Sequence, residues 1–159
     1  MAVYRKETRI DAPLDEVWDF HSEIRGLEAL TPGFLGLAVE RVTGPDGTVD
    51  PAVLETGSRI EMALRPLGVG PRQPWVAEIV ERERDGDEAH FVDTMAEGPL
   101  PEWRHTHSFR ADGDGTVLLD EVNYRLPGGS VGDVLGPFGA VGFEPMFRYR
   151  HWKTKQLLE

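Results

Sequence analysis

The chain has 159 residues, 28 of them acidic against 17 basic, a net charge of −11 and no cysteine. That length suits one globular domain, expected to span residues 1–159, and the acidic balance argues against nucleic-acid partners, whose binding needs Lys and Arg on phosphates. The lack of cysteine excludes disulfides and thiolate sites, and no apolar run reaches the roughly 18 residues of a membrane-spanning helix. Met1 to Asp11 is too polar for a signal peptide, so a cytoplasmic location is expected.

Taken in chain order, Val3–Ile10 reads as a strand, ended by Asp11-Ala12-Pro13 with the proline placed for a first helical turn. Leu14, Val17, Trp18 and His21 then recur at spacings of three and four, the apolar face of a helix whose other face carries Asp15, Glu16 and Asp19. A second short helix is expected from Glu23 to Leu30, stopped by Thr31-Pro32-Gly33. Strand-sized stretches follow at Leu37–Thr43, Ser58–Leu67, Trp75–Arg84, Ala89–Met95, Trp103–Ala111 and Thr116–Leu126, separated by turns rich in Gly, Pro and Asp, and they read as an antiparallel meander. Pro137 and Pro145 break the segment after Ser130, whereas Met146–Leu158 has no breaker and is expected to be the long closing helix. The fold class is therefore α+β.

The opening Ile10-Asp11-Ala12-Pro13 with Glu16-Val17-Trp18, the block from Phe91 to Phe109, the segment Asp120 to Pro127 and the closing Phe147-Arg-Tyr-Arg150 resemble the SRPBCC superfamily. That superfamily includes START lipid-binding domains, the birch pollen allergen and polyketide cyclases. The resemblance covers essentially the whole chain and is strongest to a prokaryotic, ligand-binding or cyclase-like branch. It implies a helix-grip fold: a curved antiparallel sheet of about seven strands around the long C-terminal helix, with two short helices after the first strand and an apolar cavity inside. It implies no catalytic residue, because the superfamily shares a cavity and no common catalytic set.

Strand alternation selects the residues that face such a cavity. Trp103, His105, His107 and Phe109 share one face of their strand, and Leu118, Asp120, Val122, Tyr124 and Leu126 one face of the next. The tight Asp112–Gly115 connection sets His107 opposite Asp120, within reach of a hydrogen bond. On the preceding strand Phe91, Asp93 and Met95 share a face, with Asp93 near His105 or His107. On the last helix Phe143, Phe147 and either Arg150 or His151 approach one face, with Pro145 blurring the phase; Arg148, Arg150 and His151 either lend positive charge to the cavity or solvate the surface, and the usual exposure of such residues favours the second. Trp18 and His21 read as packing residues, and Trp75 as core or cavity wall.

Two histidines and two aspartates on one sheet face read first as a satisfied buried network, with ligand anchoring or chemistry as the alternatives. His-x-His on a strand turns two imidazoles to one side, and carboxylates could complete a zinc or iron shell. No longer ligand signature backs that, so no metal and no cofactor is expected. The leading expectation is a binding protein for an apolar, aromatic or lipid-like small molecule, of undefined oligomeric state. One alternative is a cyclase- or dehydratase-like enzyme in which His107, oriented by Asp120, transfers protons and His105 or Tyr124 polarises a carbonyl. The other is a protein-interaction module of co-chaperone type, whose sign would be an exposed apolar patch.

Overall fold

Consecutive strands joined by tight turns pair as neighbours, and this rule sets most of the architecture. The computed structural model describes residues 1–159. Its strands are β1 (Ala2–Ile10), β2 (Ala38–Thr43), β3 (Arg59–Leu64), β4 (Gln73–Asp85), β5 (Glu88–Glu97), β6 (Glu102–Asp112) and β7 (Gly115–Arg125). Helices α1 (Leu14–His21) and α2 (Ile24–Leu30) follow β1; α3 (Ser130–Leu135) and α4 (Gly139–Leu158) close the chain. The seven strands form one antiparallel sheet in the order β1-β7-β6-β5-β4-β3-β2, so β2 to β7 make the expected meander and β1 pairs with β7. This is the helix-grip fold.

The β6–β7 hairpin has the register that its short turn and strand parity demand. Trp103 lies opposite Tyr124, His105 opposite Val122, His107 opposite Asp120 and Phe109 opposite Leu118. All eight are buried, whereas Arg104 and Arg110 on the reverse face are exposed. Register shifts between β4 and β5 and between β2 and β3 insert extra residues on one strand, which bends the sheet toward its apolar face.

Two elements differ from their sequence-based limits. The strand expected over Ser58–Leu67 stops at Leu64, because Pro66 opens a 3-10 turn, Pro66–Gly68, in which Leu67 takes a left-handed φ of 58°. The last helix starts at Gly139, well before Met146, and runs through Pro145. A proline there removes one hydrogen bond, to the Val141 carbonyl four residues back. Val141 is 75% exposed, so the loss falls in a turn at the protein surface. Gly139 is required for the close approach of this first turn: a Cβ would stand 2.7 Å from the Tyr124 ring.

Helix α4 turns Phe147, His151 and Thr154 into the protein, at the four-then-three spacing of one helical face. One apolar cluster packs Trp18 of α1 on Phe91 and Phe109; another packs Phe147 of α4 on Tyr4, Trp103 and Tyr124. No helix is long and apolar enough to cross a membrane. Val131, Val134, Phe138 and Val141, in α3 and around the start of α4, are exposed apolar side chains.

Helix α2 crosses the end of α1 at Gly26, where a Cβ would lie 2.2 Å from the Phe20 carbonyl oxygen. Gly26→Ala must push one backbone away from the other and is expected to cost about 2–3 kcal/mol. Gly142 lies in α4 with open space around it, so Gly142→Ala is expected to stabilise by about 0.5–1 kcal/mol. Urea unfolding of both variants checks the contrast, and equal effects would contradict the α1–α2 packing described.

Candidate functional site

Bending the sheet around α4 leaves a cavity of about 140 Å³ lined by α1, α2, β3–β6 and α4. Its walls are apolar for most of their extent, with Leu27 and Leu30 from α2, Ile60 and Met62 from β3, and Ala77 and Ile79 from β4. Polar groups gather at one side, where Asp93, His105, His107, His21 and Arg150 contribute to the wall.

The polar cluster is built by strand alternation on three neighbouring strands. Asp93 on β5 stands opposite His105, and Asp120 on β7 opposite His107. The hydrogen bonds run diagonally instead. His107 Nε2–H donates to Asp93 Oδ2 at 2.7 Å, and His105 Nε2–H donates to Asp120 Oδ1 at 2.7 Å. His107 Nδ1 approaches Asp120 Oδ1 only to 3.4 Å and has no hydrogen-bond partner, so the expected direct His107–Asp120 hydrogen bond is not formed. The Trp103 indole N–H donates to the other oxygen of Asp93 at 3.3 Å. His151, reaching in from α4, donates to Asp120 Oδ2 at 2.6 Å while its Nδ1 lies 2.7 Å from the Thr8 hydroxyl of β1. The two strand imidazoles lie 3.6 Å apart between ring centres, and His107 stacks on Phe91 at 3.9 Å.

Electrostatics follow from this wiring. Burial pushes the Asp120 carboxyl up, but the hydrogen bonds from His105 and His151 outweigh it and hold the group well below the usual carboxylate range. Asp93 is held low in the same way, burial being overcome by its His107 bond and the neighbouring imidazoles. Burial, reinforced by His105, lowers His107 to about 4 despite the pull of Asp93. Burial likewise lowers His21 to about 3, leaving a neutral ring whose Nδ1–H donates to the Val17 carbonyl. Arg150 is lowered by burial as well, and no carboxylate pairs with its guanidinium.

Of the residues picked out from the sequence, Phe91, Asp93, Trp103, His105, His107 and Phe147 stand in the cavity wall. Asp120 lies behind the histidines, Phe109 packs against Trp18 and His21, and Met95 packs beside Trp103 and Phe147. The Tyr124 hydroxyl donates to the Gly136 carbonyl at 2.5 Å, away from the cavity. Sequence reasoning favoured a solvated reading of His151, which the structure buries at the centre of the network, and of Arg150, which stands in the cavity wall, and it took His21 for a packing residue only. The signal for His151 is its spacing from Phe147 and Thr154 within the expected helix, outweighed in the sequence reading by the usual exposure of polar side chains.

Two consequences are measurable. Asp120→Leu strands two buried imidazole donors and is expected to destabilise by about 3–5 kcal/mol in denaturant unfolding, whereas outward-facing Arg104→Ala stays within about 0.5 kcal/mol. His21 titrates near 6.5 when unfolded and about 3 when folded, so below pH 6.5 the unfolded state binds more protons. Its contribution is fully present above pH 6.5 and is lost on acidification toward pH 3, by about 1.4 kcal/mol per pH unit. His21→Leu is therefore expected to flatten the stability profile between pH 7 and pH 5 by about 2 kcal/mol, and parallel profiles would contradict the assignment.

Residues 10–146 match the model of the family described as polyketide cyclase / dehydrase and lipid transport. Among solved structures, the chain is similar to a protein of Chromobacterium violaceum, with a TM-score of 0.68 and 15% identity over 99% of this chain and 96% of that one. It is also similar to truncated norcoclaurine synthase of Thalictrum flavum, with a TM-score of 0.67 and 18% identity over 99% and 94% of the two chains. A protein of Arthrobacter aurescens gives a TM-score of 0.69 at 14% identity, covering 98% of this chain and 85% of that one. No curated protein matches the chain in sequence. At these identities the structural likenesses establish the fold, while the family match spans most of the chain: it belongs to the polyketide cyclase / dehydrase and lipid transport family of the SRPBCC superfamily.

Proposed function

We propose that the protein binds a small apolar, ring-bearing molecule in the cavity between sheet and α4 and orients it with the polar groups at one side. One observation carries this reading: an apolar-walled cavity of about 140 Å³ bordered by Asp93, His105 and His107. Protein interiors are close-packed and leave few voids larger than a water molecule. A void of about 150 Å³ lined by apolar side chains stays dry and accepts benzene. One ring therefore fits without rearrangement, and the buried polar groups reward a ligand that carries a matching hydroxyl, carbonyl or carboxylate. The family's description joins cyclisation and dehydration with lipid transport, activities that all require an apolar molecule held out of water.

A second reading, an enzyme of cyclase or dehydratase type, draws on a different feature. His107 stands in the cavity wall with Nε2 braced by Asp93, the arrangement that fixes an imidazole for proton transfer. Asp93 takes the orienting role that the sequence suggested for Asp120.

Thermal unfolding in the presence of phenols, naphthols, benzoates, flavonoids and fatty acids tests the binding reading. A hundredfold excess of ligand over its Kd stabilises by about 2.7 kcal/mol, an expected Tm rise of about 5–10 °C for a chain of this size. Ala77→Leu, which extends a buried wall residue into the cavity, is expected to abolish the shift while leaving the protein folded. Absence of any shift across the panel, with folded wild type, would overturn the proposal. Product formation from a bound compound that falls at least about a hundredfold in His107→Gln would instead select the enzymatic reading.

A further inference from the structure

We infer that Asp93, His105 and His107 form a binding site for a first-row divalent cation, open toward the cavity. The inference is independent of which organic molecule fills the rest of that space.

Alternation on β6 turns both imidazoles to one face, and pairing with β5 brings Asp93 to them. Asp93 Oδ2 is 2.7 Å from His107 Nε2 and 3.6 Å from His105 Nδ1. One ligand atom from each of the three residues lies within 4.8 Å of the others. The far nitrogens of the same two rings point the other way, to a single oxygen: Asp120 Oδ1 is 2.7 Å from His105 Nε2 and 3.4 Å from His107 Nδ1. Two histidines thus present one nitrogen each to Asp93 and one each to Asp120. This is the carboxylate-histidine-metal arrangement, in which an outer carboxylate fixes the tautomer of the ligating rings. Asp120 is itself fixed by His151, which is held by Thr8.

Proton accounting points the same way. With Nε2–H donated to Asp93, neutral His107 turns a bare, buried Nδ1 toward a carboxylate oxygen, and this is an atom without a hydrogen-bond partner. Moving that proton to Nδ1 gives Asp120 a third donor, beside those of His105 and His151. It also leaves the Nε2 lone pair facing Asp93, beside the bare Nδ1 of His105, whose own proton is committed to Asp120. Two imidazole lone pairs and a carboxylate oxygen then converge, and a divalent cation satisfies all three at once. Charge agrees: the carboxylates of Asp93 and Asp120 lie near one guanidinium, that of Arg150, whose single positive charge does not balance two.

Two imidazoles and one carboxylate are the donor set of zinc and ferrous iron, and three protein ligands leave positions for water or a ligand oxygen on the cavity side. Donors at zinc distances of about 2.0–2.1 Å stand roughly 3.3 Å apart, so the Asp93–His107 contact must open by about half an ångström on binding. The cation would take the nitrogen through which Asp93 braces His107 for proton transfer, so the two roles exclude each other.

The test titrates chelator-stripped protein with Zn²⁺ by calorimetry and with Co²⁺ by visible absorption. Wild type is expected to take up one equivalent, with cobalt absorption of a low-symmetry nitrogen and oxygen site. Asp93→Asn and His105→Gln are expected to weaken zinc binding by a hundredfold or more, His151→Phe by about ten- to a hundredfold as an outer-ligand change, and half-buried His90→Gln, remote from the cluster, not at all. Imidazole ¹⁵N shifts of the unmutated protein provide a readout that does not depend on variants folding: zinc is expected to move His105 Nδ1 and His107 Nε2. No stoichiometric uptake by folded wild type, or uptake that leaves those two resonances in place, would overturn the inference.

Discussion

A buried carboxylate is expensive to bury and is tolerated only with donors on its oxygens, and Asp120 is the one around which this protein is arranged. Strand parity turns it inward from β7, under α4. One of its oxygens takes a hydrogen bond from His105 of β6, and the other takes one from His151 of α4. A single side chain therefore ties the helix to the sheet. Because His151 must reach Asp120, the rotation of α4 about its axis is fixed: Phe147 and Thr154 turn inward, Arg148 and Trp152 outward.

The cavity follows from that docking. With α4 held at its middle by Asp120 and packed through Phe147 against Tyr4 and His105, the curved sheet does not close fully on the side of β3 and β4. The apolar residues there face that space across from Leu27 and Leu30 of α2. The histidines that satisfy Asp93 and Asp120 form part of its wall. Structural network and recognition surface are thus the same residues seen from two sides, which is why a chain with no catalytic motif still carries a polar site in an apolar pocket.

Much of this is legible in the sequence where two signals coincide. On β6 and β7 a tight Asp112–Gly115 turn and the alternation of aromatic and polar residues agree, so the pairing of His107 with Asp120 follows from parity alone. Which imidazole bonds which carboxylate does not follow. Opposed residues and diagonal neighbours both lie within reach of a histidine ring, and the choice is made by His151, a residue far away in the chain. His151 shares the inward spacing of Phe147 and Thr154, but polar helix side chains ordinarily face solvent, and only the carboxylate on β7 shows why this one turns inward. Local periodicity turns His21 inward and allows the same for Arg150, but that a cavity lies there is set by tertiary packing.

The central claim is that Asp120 accepts hydrogen bonds from His105 and His151 at the same time. Long-range ¹H–¹⁵N correlation spectra of the imidazoles near pH 7 test it most directly, because they identify the protonated nitrogen of each ring. The account predicts that both rings carry hydrogen on Nε2, in slow exchange with solvent, and that the His105 signal moves when His151 is replaced by Phe. Rings averaged between tautomers, or a His151 in rapid exchange with water, would contradict it.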